Sequence, residues 1–174
     1  MKFVKSISII GLIFISLIFI LYLSGYRYNH STSYPKGIYQ LTKQQISYEK
    51  GQLVLFCPPN NATLQLALNR KYLEYGICNG GFEPVIKKVF GTPDDIISFT
   101  DGVINVNYHP IKNTTVLDHD SMGRYLPHLA DFVVPSNSYF LLSDHKPKVS
   151  FDSRYYGSVP IDNIKGLVIP IYIF

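Results

Sequence analysis

An uncharged run from Ser6 to Tyr26, rich in Ile, Leu and Phe, constrains this 174-residue chain more than any other feature. As a helix it would be roughly 31 Å long, about the thickness of a bilayer's hydrocarbon core. Lys2 and Lys5 precede the run, and Tyr26, Arg27 and Tyr28 close it. That places basic residues inside and aromatic residues at the interface, although Arg27 reduces the charge asymmetry. A cleaved signal peptide would have a shorter core, about 7 to 15 residues, and a small-x-small cleavage site, which does not follow cleanly here. The expected organisation is a cytoplasmic tail at residues 1–5, a transmembrane anchor at 6–26 and a periplasmic domain at 27–174. The protein is thus expected to be single-pass in a bacterial inner membrane, with its main domain on the periplasmic side.

The remaining length, about 150 residues, suffices for one domain with its own core and leaves no room for a second. Lys and Arg residues are scattered, and the formal charge is only +4. Such a chain has no basic stripe to follow a phosphate backbone, so nucleic acid is not an expected ligand. Its two cysteines, Cys57 and Cys78, flank a segment in which Leu64, Ala67, Leu68 and Tyr72 share one helical face, with Asn60 or Asn61 available as a cap. A helix returning through Gly76 would bring the thiols together, and an exported location permits a bridge. Two buried free thiols are the alternative. Cysteines without histidine at ligand spacing give no reason to expect a metal site.

Beyond the anchor the pattern is mostly strand. Gln52–Phe56, Val85–Phe90, Ile96–Thr100, Val103–Val106, Tyr139–Leu142 and Leu167–Phe174 are short β-branched or aromatic runs. Asp101-Gly102 between two of them is a two-residue hairpin signal. An antiparallel, mainly β domain with one short helix follows. Asn107 to Gly123 is polar and is expected to be a surface excursion.

Chemistry is concentrated in three segments. Ser31-Thr32-Ser33-Tyr34-Pro35-Lys36-Gly37 stands a few residues past the apolar run, where a nucleophile would be confined to the plane of a membrane-held substrate. By itself such a cluster is also what an ordinary turn contains. In Val85-Ile86-Lys87-Lys88-Val89-Phe90-Gly91 two lysines interrupt an apolar strand, and alternation sends them to opposite faces. An inward lysine loses hydration, its pKa falls, and it becomes a usable base, whereas a pair of edge lysines would only guard against aggregation. In Ser150-Phe151-Asp152-Ser153-Arg154-Tyr155 the Asp and Arg can pair, and the Ser150 hydroxyl is suited to hold an uncharged amine.

In that order, these segments resemble the signal peptidase I superfamily. More narrowly they are similar to the TraF-type peptidases of conjugative transfer, through Ser33-x-Pro35-x-Gly37-x-Tyr39, the Ser150-Phe151-Asp152-Ser153-Arg154-Tyr155 box, Phe56-Cys57-Pro58-Pro59, Gly76-Ile77-Cys78 and Gly123-Arg124-x-Leu126-Pro127. The resemblance implies a signal-peptidase-like fold and a serine endopeptidase needing no cofactor. It casts Ser33 as nucleophile, Lys87 as general base, and Ser31 with the Ser33 amide as oxyanion donors. Ser150 would orient Lys87, with Asp152 and Arg154 supporting the loop and Asp152 a third candidate for activity. The five histidines then need no catalytic role, and Asp118-His119-Asp120 reads as a solvated loop.

The implied substrate is an exported precursor such as a pilin subunit. Hydrolysis and cyclisation share one acyl-enzyme and are not distinguished by these residues. Ser143-Asp144-His145 stands where housekeeping signal peptidases carry Gly-Asp-Asn, Tyr34 replaces a usual Met, and Asp94 stands where Gly is common. A housekeeping signal peptidase and a catalytically silent channel scaffold are the alternatives. A degenerate scaffold should have lost Ser33 or Lys87, and both are present.

Overall fold

Short strands punctuated by turns give two antiparallel sheets, seen in a computed structural model that describes residues 2–174, with side chains from Ser8 onward. The strands in chain order are β1 (Tyr26–Asn29), β2 (Gly37–Leu41), β3 (Leu53–Phe56), β4 (Val85–Gly91), β5 (Ile96–Thr100), β6 (Val103–Val106), β7 (His109–Pro110), β8 (Phe132–Val133), β9 (Ser138–Leu142), β10 (Val159–Pro160) and β11 (Ile164–Ile173). Seven form one sheet in the order β1-β2-β11-β3-β4-β9-β10, and four form a second in the order β7-β6-β5-β8. All six strand runs expected from the sequence are present, with ends displaced by three residues at most. The hairpin at Asp101-Gly102 pairs Thr100 with Val103. Both turn residues are left-handed, φ 52° and 72°, the conformation of a two-residue primed turn.

β9 joins the two sheets because it is buried on both faces. Tyr139 and Leu141 pack with Val54, Phe56 and Val89, while Phe140 and Leu142 pack with Ile97 and Ile104 of the second sheet. A strand covered on both sides reads as a continuous apolar run, as Tyr139–Leu142 does.

The structure adds elements that the sequence reading did not give. The segments Tyr26–Asn29 and Gly37–Leu41 are strands, paired with each other and, through β2, with β11. The end of the apolar run and the Ser/Pro/Gly cluster masked their short alternation. The expectation of one short helix is also incomplete, since α3 (Ser153–Tyr156) forms a single turn capped by Asp152, whose side chain accepts from the Arg154 amide. A one-turn helix is too brief for hydrophobic periodicity to reveal.

The first helix, α1 (Lys2–Leu23), is helical along its backbone for 22 residues. Gly25, at φ 90°, then turns the chain into β1, and its Cα faces the Leu41 carbonyl so closely that a Cβ would lie 2.5 Å from it. The expected cytoplasmic tail and the first residues of the expected span lie outside the described side chains. From Ser8 to Leu23 the helix rises only about 24 Å. Among the described residues no helix is long and apolar enough to cross a membrane.

Helix α2 (Ala62–Asn69) carries Asn61 as its N-cap, the Asn61 side chain accepting from the Leu64 amide at 2.9 Å. Leu64, Ala67 and Leu68 face inward, and Tyr72, just past the helix, packs on the same cluster. The chain returns so that Cys57 and Cys78 are bridged, with Cα atoms 5.5 Å apart. This disulfide closes a small lobe between β3 and β4. Replacing both cysteines by serine should lower unfolding free energy by about 3 kcal/mol, read from denaturant midpoints.

Candidate active site

The serine segment becomes a fixed loop because β1 and β2 pair up to Asn29 and Gly37, leaving residues 30–36 to bulge from the hairpin end. Asn29, 8% exposed, fastens that bulge from inside. Its amide donates to the Tyr34 carbonyl at 3.2 Å and the Pro35 carbonyl at 3.0 Å, while its oxygen accepts the Ser31 hydroxyl at 2.9 Å. The Ser31 proton is thereby committed to Asn29. No sequence reading singled out Asn29; an asparagine among turn residues was its one signal.

Ser33 is half-buried and lines a cleft of about 440 Å³ together with Ser31, Ser150, Tyr72, Phe151 and Tyr155. The cleft's wall is continuous with the disulfide lobe, since Phe151 and Tyr155 share a core cluster with Cys57 and Cys78. Tyr72 donates to Asp120 at 2.5 Å and Arg70 to the Tyr125 carbonyl at 2.7 Å, which ties the lobe to the loop beneath it.

β4 lies between β3 and β9, and its alternation separates the lysines. Lys87 is 1% exposed and pairs across the ladder with Val54. On the other face, Ile86 packs with Tyr34 and Tyr39, and Lys88 forms an ion pair with Asp144. Burial is the largest influence on Lys87 and pushes its amine down to about 8. Asp152 opposes this and Arg154 adds to it.

Asp152 and Arg154 are both 0% exposed. Their pairing is bidentate, 2.8 Å from Nε to Oδ1 and 2.7 Å from the guanidinium to Oδ2. The Ser143 amide also donates to Asp152 Oδ2 at 3.0 Å. Ser143 in turn donates its hydroxyl to the Ser33 carbonyl at 2.5 Å, so the third segment reaches the serine loop through this residue. The Tyr34 hydroxyl donates to Asp144 at 2.7 Å. Burial and that bond both raise the Tyr34 pKa. Burial alone would raise Asp144, but its bonds with Lys88 and Tyr34 carry the carboxyl below its ordinary value.

Ser150 stands on the cleft at 5% exposure, and its hydroxyl has no hydrogen-bond partner. The structure therefore does not join it to Lys87. A buried hydroxyl left open costs about 1–3 kcal/mol, which marks this place as one that a further group would satisfy. Asp94 adopts φ 69°, the left-handed conformation that accounts for a common glycine there. The buried Asp95 holds this turn, accepting from the Thr92 amide and hydroxyl, Lys50 and Asn107. Asp120 is occupied by Tyr72 and Arg124, so the Asp118-His119-Asp120 stretch is a structural corner. Among the described residues no group of His, Cys, Asp or Glu is placed to hold a metal ion.

The antiparallel β domain bonds its serine loop to the residues just past β9, the strand beside the one that carries the buried lysine. The family model described as signal peptidase, peptidase S26, matches residues 1–173, and the chain belongs to that family. It is 34% identical to a conjugal transfer protein TraF of Agrobacterium fabrum over 98% of this chain and 96% of that one. A plasmid transfer protein TraF from Escherichia coli is 32% identical over 86% and 84% of the two chains. A signal peptidase I of Leptolyngbya laminosa is 29% identical across 48% of this chain and 38% of its own. A solved signal peptidase I structure from Enterococcus faecalis covers 71% of this chain and 97% of its own at 18% identity and a TM-score of 0.40, too loose a likeness to argue from.

Unfolded, Lys87 would titrate near 10.5, and folded it titrates at about 8. Between those values the unfolded chain binds more protons, so stability should rise as pH increases through this window. Lys87→Met should accordingly raise the melting temperature below pH 8 and flatten the pH dependence, as scanning calorimetry would record. Asp152→Ala leaves the Arg154 guanidinium buried and unpaired and should cost about 3–5 kcal/mol by chemical denaturation.

Proposed function

We propose that the protein is a membrane-bound serine endopeptidase that processes an exported precursor, a pilin-like subunit, for conjugative transfer. The observation that carries this reading is the fully buried Lys87, whose amine is pushed down to about 8 by lost hydration. A lysine so placed can be neutral near physiological pH and accept a proton. The names of the two transfer proteins similar along most of this chain support the conjugative setting.

In this mechanism Ser33 Oγ attacks the scissile carbonyl while Lys87 Nζ takes its proton. The Ser33 amide meets the oxyanion, and Ser31 adds a second donor once its hydroxyl turns from Asn29 to the substrate. The protonated Lys87 gives its proton to the leaving amine. Ser150, open on the cleft, would hold the neutral Lys87 amine. Water then releases the acyl group, or an internal amine of the precursor does so and closes a ring.

The apolar side chains of α1 from Ile9 to Leu23 support a membrane anchor, since they are exposed, as with Leu12 at 70% and Ile15 at 68%. Tyr28, Tyr172 and Phe174 form an exposed aromatic cluster at the serine-loop end of β1 and β2, and such rings suit the headgroup interface. The bridged cysteines support an oxidising compartment such as the periplasm.

The test is cleavage of a pilin precursor in membranes. Wild type and the exposed-lysine control Lys165→Ala should cut it. Ser33→Ala and Lys87→Ala should lose activity by about 1,000-fold or more. A product lighter by one water than the linear form would identify cyclisation. Cleavage by Ser33→Ala at the wild-type rate would refute the peptidase reading in favour of a scaffold.

A further inference from the structure

The Ser143 hydroxyl does something that packing does not require. Ser143 is 0% exposed in a region where a glycine or alanine would fit without a hydroxyl to satisfy. Its amide serves Asp152, at 3.0 Å, a bond that any residue's backbone could make. The side chain instead donates to the carbonyl of Ser33 at 2.5 Å, across 110 residues of sequence. The next residue, Asp144, grips the next residue of the loop, Tyr34, at 2.7 Å, and on its other oxygen grips Lys88. Two consecutive residues thus hold two consecutive residues, with an additional hold on the neighbour of Lys87.

The ladder explains why this clasp falls where it does. β9 pairs Leu142 with Lys88, and one further step in the same antiparallel register would set Ser143 beside Lys87. The chain leaving β9 therefore passes Lys87 and meets the loop that carries Ser33. Tyr34 is drawn to the face of the sheet that holds Ile86 and Lys88.

We propose that Ser143 is a positioning residue for the nucleophile, its hydroxyl holding the Ser33–Tyr34 peptide, together with the Asp144 grip on Tyr34, in the orientation that aims Ser33 at Lys87. This rests on the peptidase reading above. Ser143 touches neither substrate nor the transferred proton. It acts through the Ser33 carbonyl, fixing the backbone torsion that sets the direction of the Ser33 side chain. Misplacing a reacting atom by about 1 Å can cost on the order of 100-fold in rate.

The experiment uses the full chain in detergent and p-nitrophenyl acetate, with burst release of p-nitrophenol and intact mass reporting acylation and Ser33→Ala as the blank. Ser143→Ala and Tyr34→Phe should each slow acylation at saturating ester by about 10- to 100-fold, with half-saturation little changed. The double variant should lose less than the product of the two, because both bonds restrain one peptide. The midpoint of the rate against pH, set by Lys87, should stay in place while the plateau falls, and the melting temperatures should not track the rates. Wild-type acylation in Ser143→Ala, or a moved midpoint, overturns the proposal alone. Absence of Ser33-dependent acylation in the wild type overturns the peptidase reading along with it.

Discussion

Burying the Lys87 amine in the middle of a sheet sets the terms for the rest of the structure. An ammonium there loses its hydration, and the protein can either neutralise it with a carboxylate or let it give up its proton. Asp152 is the carboxylate within reach and raises the Lys87 amine, but burial outweighs it. Arg154 adds to the effect of burial. By engaging both oxygens of Asp152 it spends the negative charge locally and adds its own repulsion to Lys87. Desolvation prevails, and the amine is pushed down to about 8.

The same carboxylate organises the backbone around it. Asp152 caps α3 through the Arg154 amide and accepts from the Ser143 amide, so one side chain ends β9's extension and starts a helical turn. Because both groups are fully buried, each bond is made in low dielectric and none is shared with solvent. The Arg154 guanidinium also reaches the Thr115 carbonyl at 3.2 Å, anchoring the long polar excursion after β7. The electrostatic arrangement around Lys87 and a structural junction are therefore one object.

Around this centre the site is assembled from distant pieces. The serine loop comes from the hairpin after α1, the lysine from a central strand, and the supporting pair from the segment after β9. Phe151 and Tyr155 supply a wall, their rings stacking 5.1 Å apart and packing on the core of the disulfide lobe. Each piece is locally ordinary: a capped helix, a two-residue hairpin, an Asn-stapled turn. Ser33 lines the cleft, while Lys87, Asp152 and Arg154 are buried.

Much of the fold was legible in the sequence because its signals are local. Alternation in Val85–Phe90, the Asp101-Gly102 turn and the amphipathic face of Leu64, Ala67 and Leu68 each act within a few residues, and the strands and α2 stand close to where those patterns put them. Strand period also separates Lys87 from Lys88, since neighbouring residues on a strand must face opposite ways. The short strands β1 and β2 were not legible, because four or five residues carry too little alternation to stand out beside an apolar run. Nor were the parts played by Asn29, Ser143 and Asp144. Their chemistry is common to countless turns, and their partners lie across the ladder or in another loop. The sequence by itself determined residue type, local conformation and the apolar start of the chain, all of which follow from neighbours in covalent order. Tertiary structure alone decided which lysine's desolvation would prevail over a nearby carboxylate and which serine would be gripped, because dielectric and register depend on groups about a hundred residues apart coming together.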